Sequence, residues 1–187
     1  MTKYLPLIGK RIILRPLQRS DAKALMKYAN NKEVTKYTLV PHPYSEKDAF
    51  KFITRSQNML KVGTMYALGI ELKENKEIIG MMSFREVDPE NRNAALSYWL
   101  GKPFWGKGIT SEAIQLLVRF GFKRLHLQRI YARVMHPNLR SVRLLKKHGF
   151  LFEGRLQKNR YKNKRWYDHL IFGLLREDYL RTKRLRK

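Results

Sequence analysis

Between Phe104 and Thr110 the sequence reads FWGKGIT, and the apolar, helix-forming stretch SEAIQLLVRFGF follows at once. Two glycines around a lysine at a helix start suit an anion. The first amides of a helix have no intrahelical acceptor, the helix dipole adds positive potential, and glycine lets a ligand approach the backbone. Gly106, Lys107 and Gly108, with the amides of Trp105, Ile109 and Thr110, are therefore candidates to hold a phosphate or diphosphate. A Walker loop needs a longer glycine segment ending in Lys-Ser or Lys-Thr, and a Rossmann fingerprint needs a third glycine; neither is present. A plain tight turn from strand to helix stays open as the alternative. Glu112 suits the helix dipole but repels a phosphate, so it must point away or be screened.

The elements that position this turn follow from pattern. KRIILRPL reads as a strand stopped at Pro16, after which Ser20 or Asp21 can cap a helix to about Asn30. Ser45 with Asp48 three residues on is a capping-box signal, and Ala49, Phe52, Ile53 and Leu60 follow at helical spacing. MYALGIEL, EIIGMMSF and AALSYWL are strand-like runs separated by KENK and DPENRN, as in an antiparallel meander. After the glycine turn and its helix come the strand RIYARV and the helix NLRSVRLLKKHGF, which Gly149 closes. Two further runs meet near Asn163 and Lys164 as a hairpin, and a charged tail ends the chain. The expectation is one α+β (mixed α/β) domain over residues 1–187, with its core at about 8–180.

The strand LSYWLG, the turn WGKGITSEA, the strand IYARV and the helix NLRSVRLLKKHGF, in that order and spacing, resemble the GNAT acetyltransferase superfamily. More narrowly, IILRPLQRSDAKALMKYANNKEV and DHLIFGLLREDY resemble the opening and closing of its ribosomal-protein alanine N-acetyltransferase branch. The resemblance implies a central, mostly antiparallel mixed sheet flanked by helices and splayed between the fourth and fifth strands. It implies acetyl-CoA as donor, with the diphosphate on the amides of the Trp105–Thr110 turn and the pantetheine arm along Tyr98, Trp99 and Leu100. Trp105 stands where that family usually has Arg or Gln, and Thr110 where it has Gly or Ala. Asn138 and Ser141 match the family's Asn-x-x-Ser, whose side chains face the cofactor; Asn138 is equally an ordinary helix N-cap.

Acyl transfer to an amine needs a neutral nitrogen, a polarised carbonyl and a proton for the leaving thiolate. The chain has no cysteine, which excludes a cysteinyl intermediate, disulfides and thiolate metal sites and favours direct transfer. Many relatives place an acidic tyrosine four residues after the serine, but Leu145 stands there. Ser141 and, more weakly, Tyr98 are the candidate catalytic residues. Another branch has a base where Arg133 stands, and Ala95 replaces a related glutamate, which leaves Glu86, His136 and Asp168 as candidates without a choice among them. An N-terminal α-amine, with a pKa of about 8, needs less help than a lysine side chain at about 10.4.

Forty Lys and Arg against fifteen Asp and Glu give a formal net charge of +25, which points to an anionic partner. RLQKNRYKNKRWY interleaves six basic residues with Tyr161, Trp166 and Tyr167, and RTKRLRK adds five more, a composition suited to RNA or ribosome docking. The aromatics of a solvated hairpin are expected to pack inward. The N-terminus lacks a signal-peptide core and no apolar run is of membrane length, so a cytoplasmic protein without membrane contact is expected. Protein N-termini are the first acceptor class; a small amine, or a non-catalytic RNA-binding module on the same scaffold, are the alternatives.

Overall fold

The structure, a computed structural model, describes residues 4–184 and the side chains of residues 4–181. Its centre is one sheet of eight strands: β1 (Leu7–Ile8), β2 (Ile12–Pro16), β3 (Tyr66–Leu72), β4 (Ile78–Asp88), β5 (Asn93–Leu100), β6 (Arg129–Met135), β7 (Leu151–Lys162) and β8 (Arg165–Leu175). They lie in the order β1-β2-β3-β4-β5-β6-β8-β7. The expected meander is β3-β4-β5, and the hairpin is β7-β8, turned by Asn163 and Lys164 at φ +50° and +58°. Two positive-φ residues are what a two-residue turn needs to follow the twist of its strands.

Among the described residues six α-helices accompany the sheet: α1 (Ala22–Ala29), α2 (Lys32–Thr35), α3 (Glu46–Val62), α4 (Ile109–Lys123), α5 (Leu139–Lys147) and α6 (Arg176–Arg184). Ser45 and Asp48 form the expected capping box on α3, with bonds of 3.2 and 3.0 Å. Asp21 caps in a different way. Its carboxylate accepts from the Gln18 amide at 2.7 Å and from the Arg15 guanidinium at 2.8 and 2.9 Å, which locks the turn into α1. The sequence pattern missed β1 and α2, two and four residues long, because neither spans a full hydrophobic period. Residues 185–187 of the basic tail lie outside the described residues.

The sheet has a core on each face. On one, Phe84, Leu96, Ile130, Val134 and Phe172 pack with Ile114, Leu117 and Phe120 of α4 and Leu145 of α5. On the other, Ala67, Ile78 and Met81 pack with Leu25 and Ala29 of α1 and Ala49 and Ile53 of α3.

Every neighbouring pair is antiparallel except β5-β6. That parallel ladder is short: Asn93↔Arg129, Ala94↔Ile130 and Ala95↔Tyr131. Beyond it β5 stays on β4 as far as Leu100, and β6 stays on β8 as far as Met135. The two halves of the sheet therefore diverge as a V between Leu96–Leu100 and Ala132–Met135. These are the fourth and fifth strands expected from sequence, displaced by one in number because of β1.

A second tie joins the halves. Lys162, at the tip of the β7-β8 hairpin, donates to the carbonyls of Thr35 and Thr38 at 2.6 Å each and of Val40 at 3.4 Å, just past α2. Tyr167 of β8 meets Tyr37 edge to face, with ring centroids 6.4 Å apart. Lys162→Met removes three charge-assisted bonds, and a local loss of about 1.4 kcal/mol raises opening about tenfold. Amide exchange in residues 159–168 should accelerate by about that factor while exchange in α4 is unchanged.

Candidate active site

The glycine turn leaves the end of β5 through a short 3-10 turn, Lys102–Phe104, and enters α4. Gly106 and Gly108 have φ of +76° and +74°, the left-handed region that side chains resist, so the turn needs glycine at both positions. A Cβ on Gly106 would meet nothing within 4 Å, so open space lies over that backbone. Among the described residues, the amides of Gly106, Lys107, Gly108, Ile109, Thr110 and Ser111 donate to no protein acceptor; the first amide of α4 that does is Glu112, to Gly108 O at 3.1 Å. The Ile109 side chain is buried, so only its amide belongs to the turn. Thr110 is half-buried.

Trp105 plays another part. Its amide donates to Lys102 O at 3.2 Å, so it is not one of the free donors expected there. Its indole Nε1 donates to Leu100 O at 2.7 Å, and the Arg140 guanidinium lies 5.0 Å from its ring centre. The large ring folds the turn back on the strand end, which takes the Leu100 carbonyl out of use as well. Arg11 braces the turn from behind: its Nη1 donates to Lys107 O at 2.7 Å, while its amide and Nε hold Glu112 at 2.8 and 3.0 Å. Burial alone would raise the Glu112 carboxyl, and Arg11 outweighs it and holds the group below its usual range. The acid that would repel a phosphate is thus neutralised, as the pattern required.

Tyr98 and Ser141 meet across the V. From β5 and the first turn of α5, their hydroxyl oxygens lie 2.8 Å apart. Burial pushes the Tyr98 phenol up to about 12, so it keeps its proton near neutral pH. Asn138 caps α5 by accepting from the Ser141 amide at 3.3 Å, which fixes the serine at the helix start. Ser111 Oγ and His148 Nε2, 2.7 Å apart, tie α4 to the far end of α5. Leu145, at the vacant tyrosine position, is fully buried core. The phenol that stands beside Ser141 is that of Tyr98, from β5. Trp99 points to the opposite face of the sheet from Tyr98 and is half-buried between the two cores.

The arrangement is a phosphate-sized array of amides at the mouth of a gap between two parallel strands, with a hydroxyl pair inside. Residues 11–151 match the acetyltransferase (GNAT) domain. An uncharacterised N-acetyltransferase, p20 of Bacillus licheniformis, is 36% identical over 174 residues, 92% of this chain and 97% of that one. The chain belongs to the GNAT acetyltransferase family. The ribosomal protein uS5-alanine N-acetyltransferase of Escherichia coli is 32% identical over 120 residues, 64% of this chain and 62% of that one. A spermidine N-acetyltransferase of Vibrio cholerae, solved with CoA and spermine, superposes with a TM-score of 0.79 at 24% identity, covering 91% of this chain and 98% of that one; this likeness shows the fold. Among the described residues, no helix is long and apolar enough to cross a membrane, and no group of three or more acids, histidines or cysteines could hold a metal ion.

The base candidates of this acetyltransferase separate on geometry. Glu86, at a bulge of β4 with φ +51°, accepts from both Arg133 Nη atoms and from Tyr131 Oη at 2.8 Å each. Arg133 first, and Tyr131 with it, hold the carboxylate below its ordinary range against the upward push of burial. Asp168 is held down by the Lys158 amide and then by Arg155. Carboxylates saturated in this way are weak bases. His136 is exposed in the turn before α5. Sequence reasoning missed Arg11 and His169. Arg11 acts at a separation of 101 residues, which no local pattern reveals. His169 could have been found by strand parity, since it alternates with Leu170, Phe172 and Leu174.

Gly106→Asp tests the anion reading. Aspartate bears positive φ better than most side chains, and the space beside Gly106 is open, so the strain is about 1 kcal/mol and the fold should survive. A carboxylate over the free amides should weaken CoA binding by calorimetry at least tenfold, about 1.4 kcal/mol, with the melting temperature lowered by only a few degrees.

Proposed function

We propose that this acetyltransferase uses acetyl-CoA to acetylate the N-terminal α-amine of a protein, with ribosomal proteins as the acceptor class, by direct transfer. Acetyl-CoA supplies an acetyl group on a thioester. The free amides from Gly106 to Ser111 and the cation of Lys107 suit its diphosphate, and the unpaired edge of β5 from Leu96 to Trp99 suits its amide-bearing arm. Ser141 and Tyr98 are the hydroxyls suited to polarising the carbonyl and returning a proton to the thiolate. The CoA bound to the spermidine enzyme of the same fold supports the choice of donor.

One observation carries the acceptor reading: the acids beside the V, Glu86 near its paired end and Asp168 near its open end, are already bound to cations. Glu86 is held by Arg133, and Asp168 by Arg155. A polycationic amine finds no free carboxylate there and meets a chain of net charge +25. An α-amine with a pKa of about 8 is partly neutral near pH 7 and needs no acidic cradle. The uS5-alanine enzyme supports the same class. In assays of CoA release with intact-mass readout, N-terminal peptides of ribosomal proteins should be acetylated once at the α-amine; turnover of spermidine but not of peptides would contradict the reading.

The hairpin supports docking on ribosomal RNA. Its aromatics do not all pack inward as expected from sequence: Tyr161 and Trp166 are 56% and 60% exposed and meet across the strands with ring centroids 5.1 Å apart and planes tilted by 52°, and only Tyr167 turns in. The reason is that β7 is the sheet edge, so the outer hairpin reaches past the core. Association with ribosomal RNA should fall steeply between low and moderate salt, and Trp166→Ala should weaken it by about 1–3 kcal/mol if a base stacks there. Salt-insensitive association would contradict docking by charge.

A further inference from the structure

Among the described residues His169 is the buried histidine, 9% exposed, and the chemistry above does not use it. Leu170 and Phe172, its neighbours in strand parity, pack into the core under α4 and α5. His169 therefore projects to the opposite face of the sheet, together with Tyr131 and Arg133 of β6. In register it lies across from Met135, the last residue of β6, at the open end of the V. The two faces of the sheet thus differ: Tyr98 and Ser141 bring hydroxyls to the gap on one, and His169, one strand behind β6, presents an imidazole on the other.

The ring orientation is set by Asn159. His169 Nδ1 lies 2.7 Å from Asn159 Oδ1, and a carbonyl oxygen can only accept. Nδ1 therefore carries the proton, and Nε2 keeps its lone pair with no partner among the described residues. The groups around the ring oppose a charge on it. Burial comes first, then Arg133 of β6 and Arg160 of β7, and together they hold the pKa below its ordinary value near 6.5. Glu86 of β4, the nearest acid to Arg133, is spent on that arginine and on Tyr131, and Asp168 of β8 on Arg155 and the Lys158 amide. Met135 and Ile171 add only apolar surface.

We propose that His169 Nε2 takes the proton from the acceptor amine on the face of the gap opposite the Tyr98–Ser141 pair. This rests on reading the gap as the acyl-transfer site. The ammonium N–H bond breaks as Nε2–H forms; the freed nitrogen lone pair makes the C–N bond to the thioester carbon and the C–S bond breaks, the thiolate takes a proton from the hydroxyl pair, and the second nitrogen proton, released as the amide becomes neutral, restores that pair. Asn159 is a positioning residue, acting through the tautomer of His169.

The test uses the full chain, CoA and a peptide acceptor. His169→Gln should lower kcat at pH 7 by about a hundredfold or more, in the range of general-base contributions. CoA affinity should be unchanged, and the defect should shrink as pH rises past 8, where the amine loses its proton unaided. Nitrogen NMR of the wild type should show the Nδ1–H tautomer, a pKa below 6.5, and a shifted Nε2 signal when the peptide is added without acetyl-CoA. Asn159→Ala, at an exposed position, covers the case in which His169→Gln fails to fold: the tautomer should become mixed and kcat fall while CoA still binds. CoA binding with His169→Gln activity within threefold of wild type, or an Nε2–H tautomer, overturns the role of His169 alone. A wild type that does not bind CoA overturns the acyl-transfer reading and this inference with it.

Discussion

The structure depends on a sheet that begins to pair two parallel strands and then stops. Three residue pairs join β5 to β6, after which each strand stays with its antiparallel neighbour and the edges between them are left open. Unpaired backbone inside a fold has a cost unless something else satisfies it. Here the open edges face a gap with the glycine turn at the end of β5 and the Tyr98–Ser141 pair across it. The apolar cores above and below the sheet, with the Lys162 anchor across it, hold the halves apart at a fixed spacing.

Charge is distributed to the same end. Fifteen acids in a chain with forty basic residues cannot neutralise the surface, and several are used as clamps. Arg11–Glu112 steadies the anion turn, Arg15–Asp21 the entry to α1, Arg129–Glu153 the β6-β7 region, and Arg133–Glu86 the wall of the gap. The exposed pairs contribute little stability each, so their value here is positional. Of the hairpin's basic side chains, Arg155 and Lys162 are taken by Asp168 and by backbone carbonyls, and among the described residues Lys158, Arg160, Lys164 and Arg165 stay without an acid partner beside the outward-facing Tyr161 and Trp166.

Much of this was legible in the sequence, for identifiable reasons. The glycine turn, the capping box at Ser45, the Asn163-Lys164 hairpin and the Gly149 stop are all local signals, fixed by backbone conformations that few residues adopt. The Asn138 cap was legible too, and with it the position of Ser141. What escaped was set by distant partners. Trp105 spends its amide and indole on Lys102 and Leu100, Arg11 crosses the fold to reach Glu112, and Tyr98 becomes the partner of Ser141 only because β5 and α5 face each other across the gap. The same holds for two of the base candidates: Glu86 and Asp168 are acids in sequence and ion-pair partners in space.

The account stands or falls on the free amides at the head of α4. Hydrogen–deuterium exchange with and without saturating CoA reads them directly. The account predicts strong added protection at Gly106 to Ser111 and along Leu96 to Trp99, with little change on α3; protection elsewhere in the chain, with the Gly106–Ser111 amides exchanging as freely as before, would contradict it.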